Sequence, residues 1–258
     1  SLKENFSSSS SVPAAMAAGV VSGFVTAFLQ TRMGVDSLLA GIIVNTGLYS
    51  VNIAIMGGSS LLNMNKTDTI FTMAEDMLTG TVFAGQNVLL VVLVVVAVAV
   101  AIITLFLKTR LGLAIRATGN NPDMVRSSSI NPVFTTIVGL CVANAFTGLA
   151  GCLLAQSQKS VNIDIGTGMV TMALASLLIG GTFMGNGGIL KCAIGVVLGS
   201  IIFRIVYTVA LRLNMPAFML KLVSSAIVII AISGPYLKKQ WPVYKRRYFA
   251  KKGGSGNA

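Results

Sequence analysis

The side chains that most often carry catalysis or bind metals are scarce in this sequence of 258 residues. It has no histidine, so the commonest general base and metal ligand is missing. Its three cysteines, Cys141, Cys152 and Cys192, lack the close spacing of a metal or redox motif. No Asp or Glu lies within the apolar body of any hydrophobic run, so no carboxylate pair or nucleophile with its base can be assembled there. The pattern predicts no catalytic residue, no metal site and no cofactor on this chain.

One glycine-rich segment, from Gly180 to Lys191, ends in lysine and has to be tested as a phosphate-binding loop. It lacks the Gly-Lys-Ser/Thr ending of such a loop, and no strand pattern precedes it. The glycines instead indicate tight turning and close helix packing. Any nucleotide hydrolysis linked to this chain must therefore take place on another one.

The polar stretch LGLAIRATGNNPDMVRSSSINP, from Leu111 to Pro132, lies between two apolar runs. We expect Gly119 to take a left-handed conformation and end the preceding helix. Asn121 resembles an N-cap, Pro122 the first residue of a short helix, and Asp123 a first-turn carboxylate that the helix dipole favours.

A second start signal, Asn131 followed by Pro132, opens the next apolar run. The stretch therefore predicts a short helix capped between two tight turns, with Arg116 and Arg126 beside it. Such a helix suits docking to a soluble partner. The alternative is a solvated connection that carries basic charge.

The composition places the chain in a membrane. Hydrophobic residues make up 54% of it and charged residues 10%, and its mean hydropathy is +0.84. Soluble domains carry roughly 25% charged residues. The net charge of +12 could suggest nucleic acid, but the basic residues lie between and after the apolar runs, where orientation in a bilayer explains them. We therefore predict an all-α integral membrane protein that binds no nucleic acid.

Seven apolar runs are long enough, or nearly so, to cross a bilayer as helices. They cover residues 12–31, 36–56, 86–107, 132–155, 168–184, 189–211 and 216–234. Proline opens three of them, at Pro13, Pro132 and Pro216, and glycine closes two, at Gly57 and Gly234. The predicted organisation is an extracytoplasmic segment 1–11, a transmembrane domain 12–235 with the polar stretch at about 110–131, and a basic cytoplasmic tail 236–258.

The distribution of Lys and Arg orients the runs. If the polar stretch is cytoplasmic, the inner side carries thirteen basic residues: Arg32, Lys108, Arg110, Arg116, Arg126, Lys191, Lys238, Lys239, Lys245, Arg246, Arg247, Lys251 and Lys252. The outer side carries four: Lys3, Lys66, Lys159 and Arg212. We predict an N-terminus outside and a C-terminus inside.

Polar residues within the runs are candidates for lining a pathway, because an unpaired amide in hydrocarbon is costly. The candidates are Asn45, Asn52, Asn144, Thr147 and Ser176. Hydrogen bonding between helices is the alternative for each of them. Asn45 and Asn52 are seven residues apart and share a helix face. Arg204, within the sixth run, either snorkels, pairs, or binds an anionic group of a substrate.

The polar stretch resembles the cytoplasmic coupling segment of permeases in ABC importers of the branched-chain amino acid and ribose type. The matching positions are Gly112, Ala117, Gly119, Asn121, Ile130 and Asn131, and Ser129 replaces the glycine usual before Ile. Val142 to Gly151 also resemble that family, and ALASLLIGGTFMGNGGILKCAIGVVLGSII, residues 173–202, is similar to its small-residue span, Gly-Gly turn and next span. The segment YSVNIAIMGGSSLL is similar to a subgroup whose partners bind aromatic or related amino acids. The resemblance covers roughly residues 12–235, and it implies further spans before them.

The resemblance implies a translocation channel formed with a second permease copy. An extracytoplasmic binding protein would supply the channel with solute, and two cytoplasmic ATPase subunits would drive it. ATP and Mg would then bind on the ATPase partners. The residues that match the coupling segment or flank it, and that would contact the ATPase, are Arg116, Gly119, Asn121, Pro122, Asp123 and Arg126. A small polar solute, an amino acid or related compound ahead of a sugar or nucleoside, would be the cargo.

Two other classes of function stay open on the residues alone. An ion-coupled secondary transporter usually needs an intramembrane carboxylate or histidine for a proton relay, which the runs lack, although sodium coupling through carbonyls needs neither. A structural membrane subunit would have no pathway of its own.

Overall fold

The computed structural model describes residues 8–64, 69–72, 87–166, 169–184 and 188–212, with the single positions 222, 225, 226, 229 and 233. The helices in these ranges include α1 (Ser8–Arg32), α2 (Ser37–Ile55), α3 (Asn87–Lys108), α4 (Arg110–Asn120), α5 (Pro122–Ser127), α6 (Pro132–Gln158), α7 (Met169–Met184) and α8 (Ile189–Arg212), and a 3-10 helix covers Ile163–Gly166. The chain divides into two compact units, Ser1–Asp164 and Ile165–Ala258. The first unit holds α1 to α6, and the second holds α7 and α8.

Six of the predicted apolar runs are helices, with ends within a few residues of the prediction. Among the described residues, α1, α2, α3, α6 and α8 are long and apolar enough to cross a membrane, whereas α7 is shorter. The predicted run 216–234 lies outside the described residues except for single positions, and so do residues 1–7 and 236–258.

The helix ends follow the local signals in part. Asp36 caps α2 by accepting a hydrogen bond from the Leu38 backbone N–H at 2.9 Å. Gly57, beyond the end of α2, has a φ of 72° and closes that helix as predicted. The prediction for Pro13 was wrong, because α1 begins at Ser8 and Pro13 lies inside it. Proline favours a helix start but does not prevent a turn of helix from forming before it.

In the first unit, α1 and α6 pack through small residues that recur every fourth position. Across the interface Ser11 meets Cys152, and Gly19 meets Asn144. A Cβ at Gly23 would lie 2.6 Å from the carbonyl oxygen of Leu140. Helices approach this closely where side chains are minimal, as in membrane bundles that associate by van der Waals contact. The interface therefore requires glycine at residues 19 and 23.

In each unit the residue types at buried and exposed positions are the reverse of those in a soluble protein. The buried positions are dominated by small or hydroxyl-bearing residues, such as Ala27 and Thr135. Large aliphatic side chains on the spans point outward; Leu93 of α3, for example, is 59% exposed. A bilayer supplies the apolar surroundings that such side chains require. This arrangement supports membrane insertion independently of helix length.

A short antiparallel sheet joins the segments that follow α2 and α6, and the sequence did not predict it. Strand β1 (Leu61–Asn63) pairs with β2 (Ser160–Asn162), with Leu62 opposite Val161. Beside the sheet, buried Gln156 donates to the Ser11 hydroxyl at 2.8 Å and accepts from the Ile70 backbone N–H at 3.1 Å. One side chain thus connects α1, α6 and the segment 69–72.

In the second unit, α7 and α8 form another close antiparallel pair. A Cβ at Gly180 would overlap the backbone of Gly195, and one at Gly199 would overlap the carbonyl of Ser176. The predicted use of Gly180 in close helix packing is confirmed. The chain does not turn at Gly180 or Gly181, because α7 continues to Met184.

Candidate functional site

The predicted coupling segment is a helix–turn–helix elbow that leads from α3 to α6. Helix α3 ends at Lys108, and Thr109 starts α4 by accepting a hydrogen bond from the Gly112 N–H at 3.1 Å. Gly112 is buried, and a Cβ there would overlap the backbone of Phe106 and Leu107. The chain can therefore fold back on the end of α3 only because residue 112 is glycine.

The short helix α5 begins as the sequence predicted. The Asn121 side chain accepts hydrogen bonds from the backbone N–H groups of Asp123 and Met124, each at 3.1 Å. Pro122 is the first helical residue, and Asp123 lies in the first turn with Arg126 in the last. Each charge is therefore at the helix end that the backbone dipole favours.

The prediction for Gly119 was wrong. Helix α4 continues through Gly119 to Asn120, and Asn121 ends it with an extended φ of −157°. Glycine permits a left-handed residue but does not impose one, and the capping geometry of Asn121 determines the break instead. A positive φ occurs later, at Ser129, where φ is 61°.

The elbow is tied to the membrane helices at both of its ends. Buried Thr118 of α4 and Thr135 of α6 have hydroxyl oxygens 2.7 Å apart. Asn131 caps α6 by accepting from the Val133 N–H at 3.0 Å, as predicted. Val125 is the buried side chain of α5, with 4% of its surface exposed. A force applied to α5 would thus reach α6 without passing through a loose linker.

The outer surface of α5 is exposed and chemically mixed. Met124 is 68% exposed, with exposed Asp123 and Arg126 beside it, and Arg116 is exposed on α4. Methionine and arginine are enriched at protein–protein interfaces relative to the rest of the surface, so this face suits docking to another protein. Sequence reasoning missed Met124, Thr109, Thr118 and Thr135; of these, only Thr109 had a readable signal, as a Thr N-cap ahead of an apolar pattern.

The pathway candidates lie on three helices, α2, α6 and α7. Asn45 and Asn52 are exposed on α2, and Thr147 is exposed on α6. Asn144 is half-buried against Gly23 of α1 and donates from its amide to the Leu140 carbonyl at 2.9 Å. Ser176 is buried in the second unit and donates to the Met172 carbonyl at 2.8 Å.

Comparison with known proteins gives concordant results. A tyrosine transport system permease protein of Clostridioides difficile (strain R20291) is 31% identical over 218 residues, which are 84% of this chain and 69% of that protein. A galactose/methyl galactoside import permease protein of Escherichia coli (strain K12) is 27% identical, over 85% of this chain and 63% of the relative. A nucleoside ABC transporter permease protein of Lactococcus lactis subsp. cremoris (strain MG1363) is 26% identical, over 83% and 60%. No solved structure is significantly similar.

The family model for the permease component of branched-chain amino acid transport systems matches residues 5–232. That range includes every described helix, together with the coupling elbow and both small-residue interfaces. The chain therefore belongs to this family, the membrane-embedded permease subunits of ABC importers.

Proposed function

We propose that two copies of this permease form a channel that imports an amino acid or related small polar solute. Two cytoplasmic ATPase subunits would drive the channel, and an extracytoplasmic binding protein would deliver the solute. The N-terminus would be outside and the C-terminus inside. The higher identity to a tyrosine permease than to the sugar and nucleoside permeases supports an amino acid.

The observation that carries the proposal is the exposed face of α5 on a firmly held elbow. The Asn121 cap, buried Val125 and the Thr118–Thr135 contact fix its position relative to α6. A helix that transmits a push has to resist deformation, and each of these contacts restrains it. We therefore assign the exposed side chains of this face to contact with the ATPase: Arg116, Asp123, Met124 and Arg126.

Three polar side chains are proposed to line the pathway: Asn45, Asn52 and Thr147, all of which are exposed. Exposure of an amide on a span is costly in lipid, so the faces of Asn45 and Asn52 should border water or another helix. Thr147 donates its hydroxyl proton to the Ala143 carbonyl at 3.1 Å, so only its exposure supports a place on the pathway. Asn144 and Ser176 were candidates too, and their hydrogen bonds and burial favour a packing role alongside any contact with solute.

A sugar or nucleoside is the second candidate cargo, because permeases named for galactose and nucleosides match over similar shares of this chain. Uptake of defined solutes by the reconstituted importer separates the two. Accumulation of an amino acid but not of galactose or uridine would support the first candidate, and the reverse would support the second.

The coupling assignment is tested by replacing Arg116 and Asp123 with alanine in the complete importer. We expect each variant to insert and assemble while the ratio of solute imported to ATP hydrolysed falls about tenfold, since loss of a charge-assisted contact costs roughly 1.5–3 kcal/mol. Arg110→Ala removes an equally exposed cation at the start of α4 and is the matched control.

Wild-type coupling in both variants would overturn the assignment of the elbow. Transport by the isolated permease without ATP, driven by a sodium gradient, would instead support the ion-coupled alternative. Normal transport by the variants Asn45→Leu, Asn52→Leu and Thr147→Leu would contradict the proposed pathway.

A further inference from the structure

Helix α8 carries a row of polar side chains at every fourth position: Ser200, Arg204, Thr208 and Arg212. With a spacing of four the four residues lie along one side of the helix. This row lines an open groove of about 460 Å³ along α8.

Arg204 is the residue in this row that needs an explanation. It lies roughly two turns from Arg212, which ends α8, so it is well inside a span. The face of α8 that packs on α7 holds Gly199 and Phe203, and Arg204 is exposed beside that face. Arginine inside a span almost always faces the bundle interior or water rather than lipid.

The chain offers Arg204 no carboxylate in this unit. The last acidic side chain in the sequence is Asp164, so nothing in residues 165–258 carries one. Thr208 donates its hydroxyl proton to the Arg204 carbonyl at 2.8 Å, and Ser200 donates to Val197 at 2.9 Å. The row therefore presents two cations without a counter-charge from this unit.

The same groove has an apolar side formed by Ile201, Ile205 and Val209. Each is one position beyond a residue of the polar row, so the apolar row runs next to it along α8. A solute that fits both rows carries a negative charge on a largely apolar body.

We propose that this groove is the translocation subsite for the carboxylate of the solute, with Arg204 as the binding cation. The inference rests on the proposed import function and deepens it, because it selects carboxylate-bearing solutes with apolar side chains over neutral sugars. The guanidinium would form charge-assisted hydrogen bonds with the carboxylate, while the apolar row contacts the solute body.

The test is uptake by the complete importer, with its ATPase and binding protein, in proteoliposomes. The external mixture contains the twenty protein amino acids, galactose, ribose and uridine, and the accumulated solutes are identified by mass spectrometry. We compare Arg204→Gln, Arg204→Lys and, as a matched control, Arg32→Gln at the end of α1. Co-purification of the ATPase subunits with the permease reports assembly for each variant.

We expect ATP-driven uptake of one or more amino acids, reduced about tenfold or more in Arg204→Gln and largely kept in Arg204→Lys and Arg32→Gln. The Arg204→Gln permease should still co-purify with its ATPase subunits, which separates loss of the subsite from loss of assembly. Uptake of galactose, ribose or uridine but of no amino acid would overturn the subsite while leaving the import function intact. Amino-acid uptake that is unchanged in Arg204→Gln would do the same. No ATP-driven uptake at all would contradict the import function itself.

An anionic lipid headgroup is the competing occupant. Vesicles made with and without phosphatidylglycerol distinguish it from the solute. A defect in Arg204→Gln that is the same in both supports the solute subsite. A defect confined to vesicles that contain the anionic lipid would assign Arg204 to the lipid and overturn the proposal.

Discussion

At the scale of single residues, the turn after α5 places a serine, Ser129, in a backbone conformation that favours glycine. Ser129 has a φ of 61°, a left-handed conformation that costs a non-glycine residue free energy. Glycine adopts it without that cost but loses more entropy on folding. We expect Ser129→Gly to raise the free energy of unfolding by about 0.5–1 kcal/mol, measured as a higher apparent Tm in detergent.

The neighbouring serine provides the control. Ser128 caps the end of α5 with a φ of −89°, which glycine does not favour. Ser128→Gly should therefore leave the Tm unchanged or lower it. Equal stabilisation by both substitutions would show that left-handed strain at residue 129 is not the cause.

Gln156 concentrates several contacts in one buried amide. Its Nε2 donates to Ser11 and its Oε1 accepts from the backbone of Ile70. Gln156→Leu leaves that backbone N–H without its acceptor, a loss that typically costs about 1–3 kcal/mol. We expect a lower Tm in detergent. Gln158→Leu, at an exposed position of the same helix, is the matched control and should have little effect; equal losses would contradict the role of the amide.

At the scale of elements, the α7–α8 pair contains an internal comparison between adjacent glycines. Gly180 lies against the backbone of Gly195, whereas Gly181 has open space around the position of a Cβ. Gly180→Ala has to separate the helices, and overpacking of this kind typically costs about 1–3 kcal/mol. Gly181→Ala should be neutral or slightly stabilising, because alanine has the higher helix propensity.

The measurement is the temperature at which each variant loses its monodisperse gel-filtration peak in detergent. A drop for Gly180→Ala alone supports the close packing of α7 on α8. Similar behaviour of the two variants would mean that the pair is not packed through Gly180.

The elements that sequence predicted well share a local cause. Apolar runs of bilayer length become helices because helices satisfy every backbone group internally, so the ends of α2, α3, α6 and α8 fell within a few residues of their predictions. Asn121 and Asn131 were identified as caps because the capping hydrogen bond reaches only the next two or three residues.

The features that the sequence did not reveal depend on contacts between distant segments. The β1–β2 sheet joins residues 61–63 to 160–162, and neither strand is long enough to have a pattern. The packing of Asn144 against α1 is equally invisible, since a polar residue in a span could face a pathway or a neighbouring helix. Gly119 shows that a local signal can also mislead. A glycine allows several backbone conformations, and the neighbouring residues determine which one it adopts.

At the scale of the whole molecule, orientation in the membrane connects the elbow to its proposed partner. An ATPase can reach α5 only if the elbow is on the cytoplasmic side, which is the side that the distribution of Lys and Arg predicts. The β1–β2 sheet would then lie on the outer side, where a binding protein delivers solute. The proposed ATPase contact at α5 and the proposed delivery of solute near the sheet therefore both depend on α3 crossing the bilayer between residues 63 and 127.

Paired cysteine substitutions test this orientation. In a parent whose three native cysteines are replaced by alanine, we introduce Asn63→Cys in β1 and Ser127→Cys in α5, both at exposed positions. A membrane-impermeant maleimide should label residue 63 in intact cells, and residue 127 only in inverted vesicles or after permeabilisation. The reverse pattern would place the elbow outside, away from any cytoplasmic ATPase. Labelling of both from one side would mean that the chain returns to the same side between them, so the elbow and the sheet could not serve partners on opposite sides of the membrane.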